Sequence, residues 1–329
     1  MKILIFEYIN GGGFANTDFP PTLVREGWLM LTAILKDLDA CSDHELTVLL
    51  DERLGDVVLP EGVHRILVTP TDDVLTVFTN AIQNCDAVLP IAPETEDTLF
   101  TLCSTVEAAG KYLLSSASSA VAKTADKIKT FSVLSANNIP TVSSHRLDKY
   151  PHFHTQGTVI KERDGAGCEN CFVCNNEDDF EKVLVSLHHP QQYVIQPFVS
   201  GIALSLSVLF KEGVGQLICI NHQLIKIHED QRLKLVGCEV NCDMDKTPFQ
   251  AVVDQIAEAF PDLWGYVGID LIKSDEQILV VEINPRLTSS YTGIREALGI
   301  NVGELVLQLL EGEAKIVPTR NLTIYVHTS

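Results

Sequence analysis

Five side chains in the last two-thirds of the chain carry most of its chemical potential: Lys127, Lys161, Asp270, Glu282 and Asn284. The last three lie in two apolar, β-branched runs, Trp264 to Lys273 and Ile278 to Asn284, separated by the polar break Ser274-Asp-Glu-Gln. That pattern predicts a β-hairpin, with an acid in each strand where strand propensity alone disfavours one. Side chains alternate along a strand, so Glu282 and Asn284 are expected on one face and Val281 and Ile283 on the other, with Asp270 joining the first group from the partner strand. Two carboxylates and an amide oxygen are hard oxygen donors suited to Mg2+ or Mn2+, which commonly share their shell with water and phosphates. Arg286 follows two residues after Asn284 on the same side.

The lysines sit in matching contexts. Lys161 ends the apolar strand Thr158 to Lys161 and precedes the small-residue loop Asp164-Gly165-Ala166-Gly167-Cys168, where glycine lets backbone N–H groups approach a phosphate and the ammonium supplies charge. Lys127 lies in Ala117 to Asn138, expected as one helix stopped by Asn138 and Pro140.

These segments resemble the ATP-grasp superfamily over about the last two-thirds of the chain. The wording G-I-D-L-I-K…V-V-E-I-N-P-R is similar to its metal-binding hairpin, Asp126-Lys127 before Asn138-Ile-Pro-Thr to its lysine helix and turn, and Lys161 to Gly167 to its K-P-x-D-G-x-G loop, with Glu162 in place of proline. The resemblance implies an α/β ATP-grasp fold. An N-terminal doubly wound parallel-sheet domain (1–115) would be followed by two α+β subdomains (116–196 and 197–329) enclosing the nucleotide. It also implies ATP and Mg2+ or Mn2+ as cofactors, the metal on Asp270, Glu282 and Asn284. Lys127, Lys161, Gly165, Ala166 and Gly167 would lie at the phosphates, and Gln196, Phe198 and Val199 at the adenine hinge. Arg286 and Lys161 would act in catalysis, with a small carboxylate and an amine joined through an acyl phosphate. The acid that many members place two residues past the hinge glycine for the ribose is Ala203 here. A nucleotide-binding regulator without turnover, or a small-molecule kinase, would use the same nucleotide residues.

Upstream, short apolar runs alternate with amphipathic stretches: Ile3 to Phe6, Leu46 to Leu50, Arg65 to Val68, Ala87 to Ile91 and Tyr112 to Leu114 as strands, with helices after Pro20-Pro21 and around 74–82 and 98–108. Alternation of this kind implies the parallel sheet independently. The loop Gly11-Gly12-Gly13 after the first strand is either a flexible turn or, with Tyr291 to Gly293, a wall of the acceptor pocket. Asn221-His222-Gln223 is expected between two strands, facing solvent or the nucleotide.

Composition restricts the alternatives. A net charge of -20 argues against a nucleic-acid backbone as partner. No run approaches the roughly 20 apolar residues that span a bilayer, so no membrane partner is expected and the cytoplasm is the expected location. Nine cysteines, an odd number, suit reduced thiols. The run Cys168-x2-Cys171-x2-Cys174 has cluster-like spacing but lacks a matching fourth ligand, and its start is better explained as the phosphate loop. Oligomeric state is left open.

Overall fold

The computed structural model describes every residue except Ser42, Ala166, Cys168, Glu169 and Ser329. Three sheets follow one another along the chain. The first contains β1 (Lys2–Glu7), β2 (Glu45–Asp51), β3 (His64–Val68), β4 (Ala87–Ile91) and β5 (Tyr112–Leu113), all parallel in the order β3-β2-β1-β4-β5. Because β1 is covered on both faces, its apolar residues run without alternation. Ile3 and Ile5 pack toward helix α1 (Pro21–Asp39), Leu4 and Phe6 toward α2 (Val74–Gln83) and α3 (Thr98–Ala108), and all four are fully buried. Burial of each side chain is worth roughly 1.5–3 kcal/mol. The order reverses between β1 and β4, the place where sheets of this type open a crevice at their carboxyl ends. Glu7 and Glu94 stand at that crevice.

Two helices, α4 (Ser118–Thr124) and α5 (Lys127–Ala136), replace the single helix expected over 117–138. The break has a local cause. Asp126 adopts an extended conformation and caps α5, its carboxylate accepting from the Ile128 and Lys129 N–H groups at 2.9 and 3.4 Å. Ala120, Leu134 and Ile139 bury against the third sheet. The second sheet, in the order β6-β9-β7-β8, is antiparallel: β6 (His145–Arg146), β7 (Thr158–Glu162), β8 (Phe172–Cys174) and β9 (Tyr193–Pro197), covered by α6 (Glu177–Ser186).

The third sheet is antiparallel in the order β14-β13-β10-β11-β12-β15. It comprises β10 (Ile202–Lys211), β11 (Val214–Ile227), β12 (Leu233–Val240), β13 (Gly265–Lys273), β14 (Ile278–Asn284) and β15 (Ile324–His327). Helix α7 (Thr247–Ala259) packs on one face. Helices α8 (Tyr291–Leu298) and α9 (Val302–Glu311) join α1 in a core shared with the first sheet. Strand β11 runs unbroken through Asn221-His222-Gln223, where two strands were expected. The period-2 pattern continues there, and only the polar side chains suggest a break. Among the described residues no helix is long and apolar enough to cross a membrane.

Candidate active site

The hairpin β13–β14 forms as its sequence predicts, with Asp270 paired to Glu282 and Gly268 to Asn284. Between Asp270 and Leu271 the register shifts, because Leu271 pairs with Val280 and Val281 is left as the extra residue of a bulge. A bulge re-aims side chains. Val280 and Ile283 are both buried in the apolar core beneath the sheet, while Val281, Glu282 and Asn284 all line the cavity above it. The expectation that Val281 and Ile283 share a face is therefore corrected by one inserted residue. The same insertion turns Glu282 to the cavity without disturbing the core.

That cavity, of about 350 Å3, lies between the second and third sheets. Val159, Pro197, Phe198, Ile225, Leu235 and Leu271 are among the side chains of an apolar part, with Gln196, Val199 and Ala203 also on the wall. The Gln196 side chain is tied to Ser144 at 2.6 Å, and the Phe198 N–H donates to Gly157 O at 2.9 Å. Gly165 and Gly167 line the opposite rim, whereas Ala166 and Cys168 lie outside the described residues.

At the polar end the two lysines converge on one carboxylate. Lys127 Nζ lies 3.5 Å and Lys161 Nζ 3.8 Å from Glu282 Oε2, and Lys127 also donates to Gly165 O at 2.7 Å. Both lysines are buried. Burial pushes the Glu282 carboxyl up, but the ammonium groups of Lys127 and Lys161 and the Arg286 guanidinium outweigh it and hold Glu282 below its ordinary value. The environment of Asp270 is opposite. Burial, with the Glu282 charge beside it, pushes that carboxyl up to about 7. Asn284 Nδ2 lies 3.4 Å from Asp270 Oδ2 and Gln223 Nε2 donates to Asp270 Oδ1 at 3.0 Å. A divalent cation fits this set: it would replace the repulsion between the two carboxylates by attraction, and turning the Asn284 amide brings its oxygen to the same place without changing its shape.

Arg286 lines the cavity with its guanidinium forked onto Glu94, at 2.9 and 3.1 Å from Nε and 3.0 Å from Nη2. Glu94 follows β4, so this buried pair joins the first sheet to the hairpin. Two and three residues on, Glu96 and Asp97 are both left-handed, at φ 54° and 57°. Thr95 and Glu96 also bond Asp164 of the glycine loop, at 3.4 and 3.0 Å. Nothing in the sequence around Glu94 marks it as a partner. Glu26 was missed as well: it projects from α1 into the cavity, accepts from Ser289 Oγ, and lines a second, adjoining cleft of about 500 Å3 beside Arg232 and Lys234.

Two expected walls of an acceptor pocket lie elsewhere. Gly11, Gly12 and Gly13 form a tight helical turn packed on Phe6, Val68 and Tyr8; a Cβ at Gly11 would stand 2.5 Å from the Phe6 ring, and Gly12 has φ +102°. These glycines are there for close packing rather than for a flexible turn. Tyr291 is buried with its hydroxyl donating to Asp37 at 2.6 Å, and Gly293 meets Val240 and Val326. Thr288, Ser289 and Ser290 line the cavity instead. Of the cysteine run, Cys171 and Cys174 are buried, and burial pushes both thiols up, Cys174 to about 11, which disfavours the thiolates that metal binding needs.

This three-sheet arrangement is that of ATP-grasp proteins. A family model for the ATP-grasp domain matches residues 124–290 and one for the pre ATP-grasp 3 domain matches residues 44–121, so the chain belongs to the ATP-grasp family. Enzymes of this family use ATP with divalent metal ions. The chain is similar to the tyramine–L-glutamate ligase of Methanocaldococcus fervens, 27% identical over 298 residues and covering 89% of each chain. It is 25% identical over 299 residues to the ligase of the same name from Methanocaldococcus jannaschii, covering 89% of this chain and 84% of that one. Among solved structures, an ATP-grasp superfamily protein from Archaeoglobus fulgidus superposes with a TM-score of 0.74 at 20% identity, covering 99% of both chains.

Proposed function

We propose that this protein is an ATP-dependent carboxylate–amine ligase that forms an amide and releases ADP and phosphate, with glutamate and an aromatic amine such as tyramine as substrates, as in methanofuran biosynthesis. The observation that carries the reading is the convergence of Lys127 and Lys161 on Glu282, opposite a desolvated Asp270, at the polar end of a cavity with an apolar slot. In this reading the slot takes adenine, with Gln196, Phe198 and Val199 at the hinge, and the glycine loop covers the phosphates.

Asp270, Glu282 and Asn284 would hold Mg2+ or Mn2+, which would supply charge neutralisation to the bound phosphates. Lys127 and Lys161, which converge on Glu282, would neutralise the remaining phosphate charge. Transfer of the γ-phosphoryl group to a carboxylate needs positioning and electrostatic stabilisation rather than covalent help from the protein. Arg286, held in place by Glu94, stands where the transferred group and the acyl phosphate come to lie. Thr288, Ser289, Ser290 and Glu26 form the acceptor end, where Glu26 takes a proton from the incoming ammonium and the neutral amine displaces phosphate from the acyl phosphate. The loop at Gly165 to Gly167 excludes water from the acyl phosphate. The relatives' name and near full-length similarity support the substrate pair. The division into 1–115, 116–196 and 197–329 is likewise part of this proposal.

Incubation with ATP, Mg2+, glutamate and tyramine should give ADP, phosphate and a glutamyl amide, followed by mass spectrometry and phosphate release. ATP consumption that needs the carboxylate and ignores every amine would indicate a kinase instead, and AMP with pyrophosphate would indicate adenylation.

A further inference from the structure

Gln223 lies on β11, two strands away from Asp270 on β13, with β10 between them. Strands about 4.8 Å apart put these backbones roughly 10 Å from each other, beyond the usual reach of a cross-strand pair. The contact nevertheless forms, Gln223 Nε2 donating to Asp270 Oδ1 at 3.0 Å. The register explains how. Ala203 pairs with Ile272 on β13, and Ser205 pairs with Asn221 on one side and Asp270 on the other. The two residues of β10 that face the cavity here are thus among the smallest side chains, and they leave a lane across the strand. Ser205 is fixed away from that lane, its hydroxyl accepting from Asn221 Nδ2 at 3.3 Å. A longer side chain at Ala203 would occupy the lane.

We infer that Gln223 is a positioning residue for the metal site: it holds Asp270 Oδ1 so that Oδ2 faces Asn284 and Glu282, the side on which the cation would sit. This inference rests on the proposed reading of Asp270 as a metal ligand. A carboxylate free to rotate in a desolvated site presents its oxygens in many directions, and an outer hydrogen bond that selects one typically changes metal affinity by about 10- to 100-fold. Lysine at position 223 would compete with the cation, and a carboxylate would repel Asp270. A neutral donor long enough to cross one strand satisfies both limits.

The test is Mn2+ binding to the ADP complex of the full chain, measured by loss of the free-ion electron paramagnetic resonance signal, beside metal-free ADP affinity by calorimetry. Gln223→Ala should weaken Mn2+ about tenfold while leaving metal-free ADP affinity within twofold. In an Asp270→Asn background Gln223→Ala should change Mn2+ affinity by less than twofold. Unchanged Mn2+ affinity in Gln223→Ala, an equal loss of ADP and Mn2+ binding, or a full tenfold effect in the Asp270→Asn background would each overturn the assignment. Wild-type protein that binds ADP but no Mn2+ would overturn the metal reading beneath it, and the wild-type titration alone separates that failure from the others.

Discussion

Glu94→Gln removes the charge from the carboxylate on which Arg286 is forked, and its effect can be worked from the geometry. Three nitrogen–oxygen distances between 2.9 and 3.1 Å define a bidentate pair in a buried setting. Removing one partner of such a pair costs about 3–5 kcal/mol, mostly because the remaining charge is left uncompensated. Here Glu26 and Glu282 also lie close enough to favour the charged guanidinium, which places the cost at the lower end, about 3 kcal/mol. For a chain of this size each kcal/mol moves the melting temperature by about 2 °C, so unliganded Glu94→Gln should melt about 6 °C lower in scanning calorimetry. Replacing both partners, as Glu94→Leu with Arg286→Met, should recover most of that loss, since an apolar pair of similar volume avoids the desolvation cost. Turnover should not recover, because the proposed function assigns Arg286 to the reacting phosphoryl group. Melting of Glu94→Gln within 1 °C of wild type would refute the view that this pair joins the first sheet to the hairpin.

ADP with Mg2+ should raise the melting temperature, whereas NAD and S-adenosylmethionine should not, because a ligand of the native state stabilises it by mass action; no shift at millimolar ADP would end the nucleotide reading. Glu282→Gln should lower turnover at least 100-fold with the fold intact by circular dichroism, since it removes a metal charge and almost no volume; activity within a few-fold of wild type would mean the metal ligands are misassigned. The Asp270 and Glu7 carboxyls are both raised to about 7, chiefly by burial. A carboxyl raised on folding contributes stability that is complete below its unfolded value near 4 and lost as the pH climbs through 7, so each should cost on the order of 3 kcal/mol by pH 8. Melting scans from pH 5 to 8 should show this slope reduced in Glu7→Gln and in Asp270→Asn, and the stabilisation by Mg2+ and ADP should grow over the same range in wild type only where Asp270 is present. The cysteine run should carry no zinc or iron on purification; near-stoichiometric metal lost on Cys171→Ser would overturn its assignment to the phosphate loop.

The parallel sheet was legible because its strands are buried on both faces and separated by amphipathic helices, a pattern that needs no knowledge of partners. Helix ends were less so. The break at Ala125 and Asp126 depends on a cap whose residue types also occur within helices, and polar side chains in β11 were mistaken for a turn because a strand lining a polar cavity carries them on one face.

For the site, sequence alone determined the donor types and their local grouping: Asp270, Glu282 and Asn284 on one hairpin, Lys161 at the end of a strand before glycines, and Lys127 beside its capping Asp126. Each of these is set within a few residues, by strand period, turn chemistry or capping. Tertiary structure decided the rest. Glu94 reaches Arg286 across 192 residues of sequence, Glu26 reaches Ser289 across 263, and Gln223 reaches Asp270 across 47 over a strand whose side chains happen to be small. The bulge at Val281 shifted the phase of a pattern that reads as uninterrupted. Such partners leave no local signal, because a carboxylate or amide on a surface and one in a site have the same neighbours in sequence. What distinguishes them is the desolvation and the opposing charge that only the packed sheets supply.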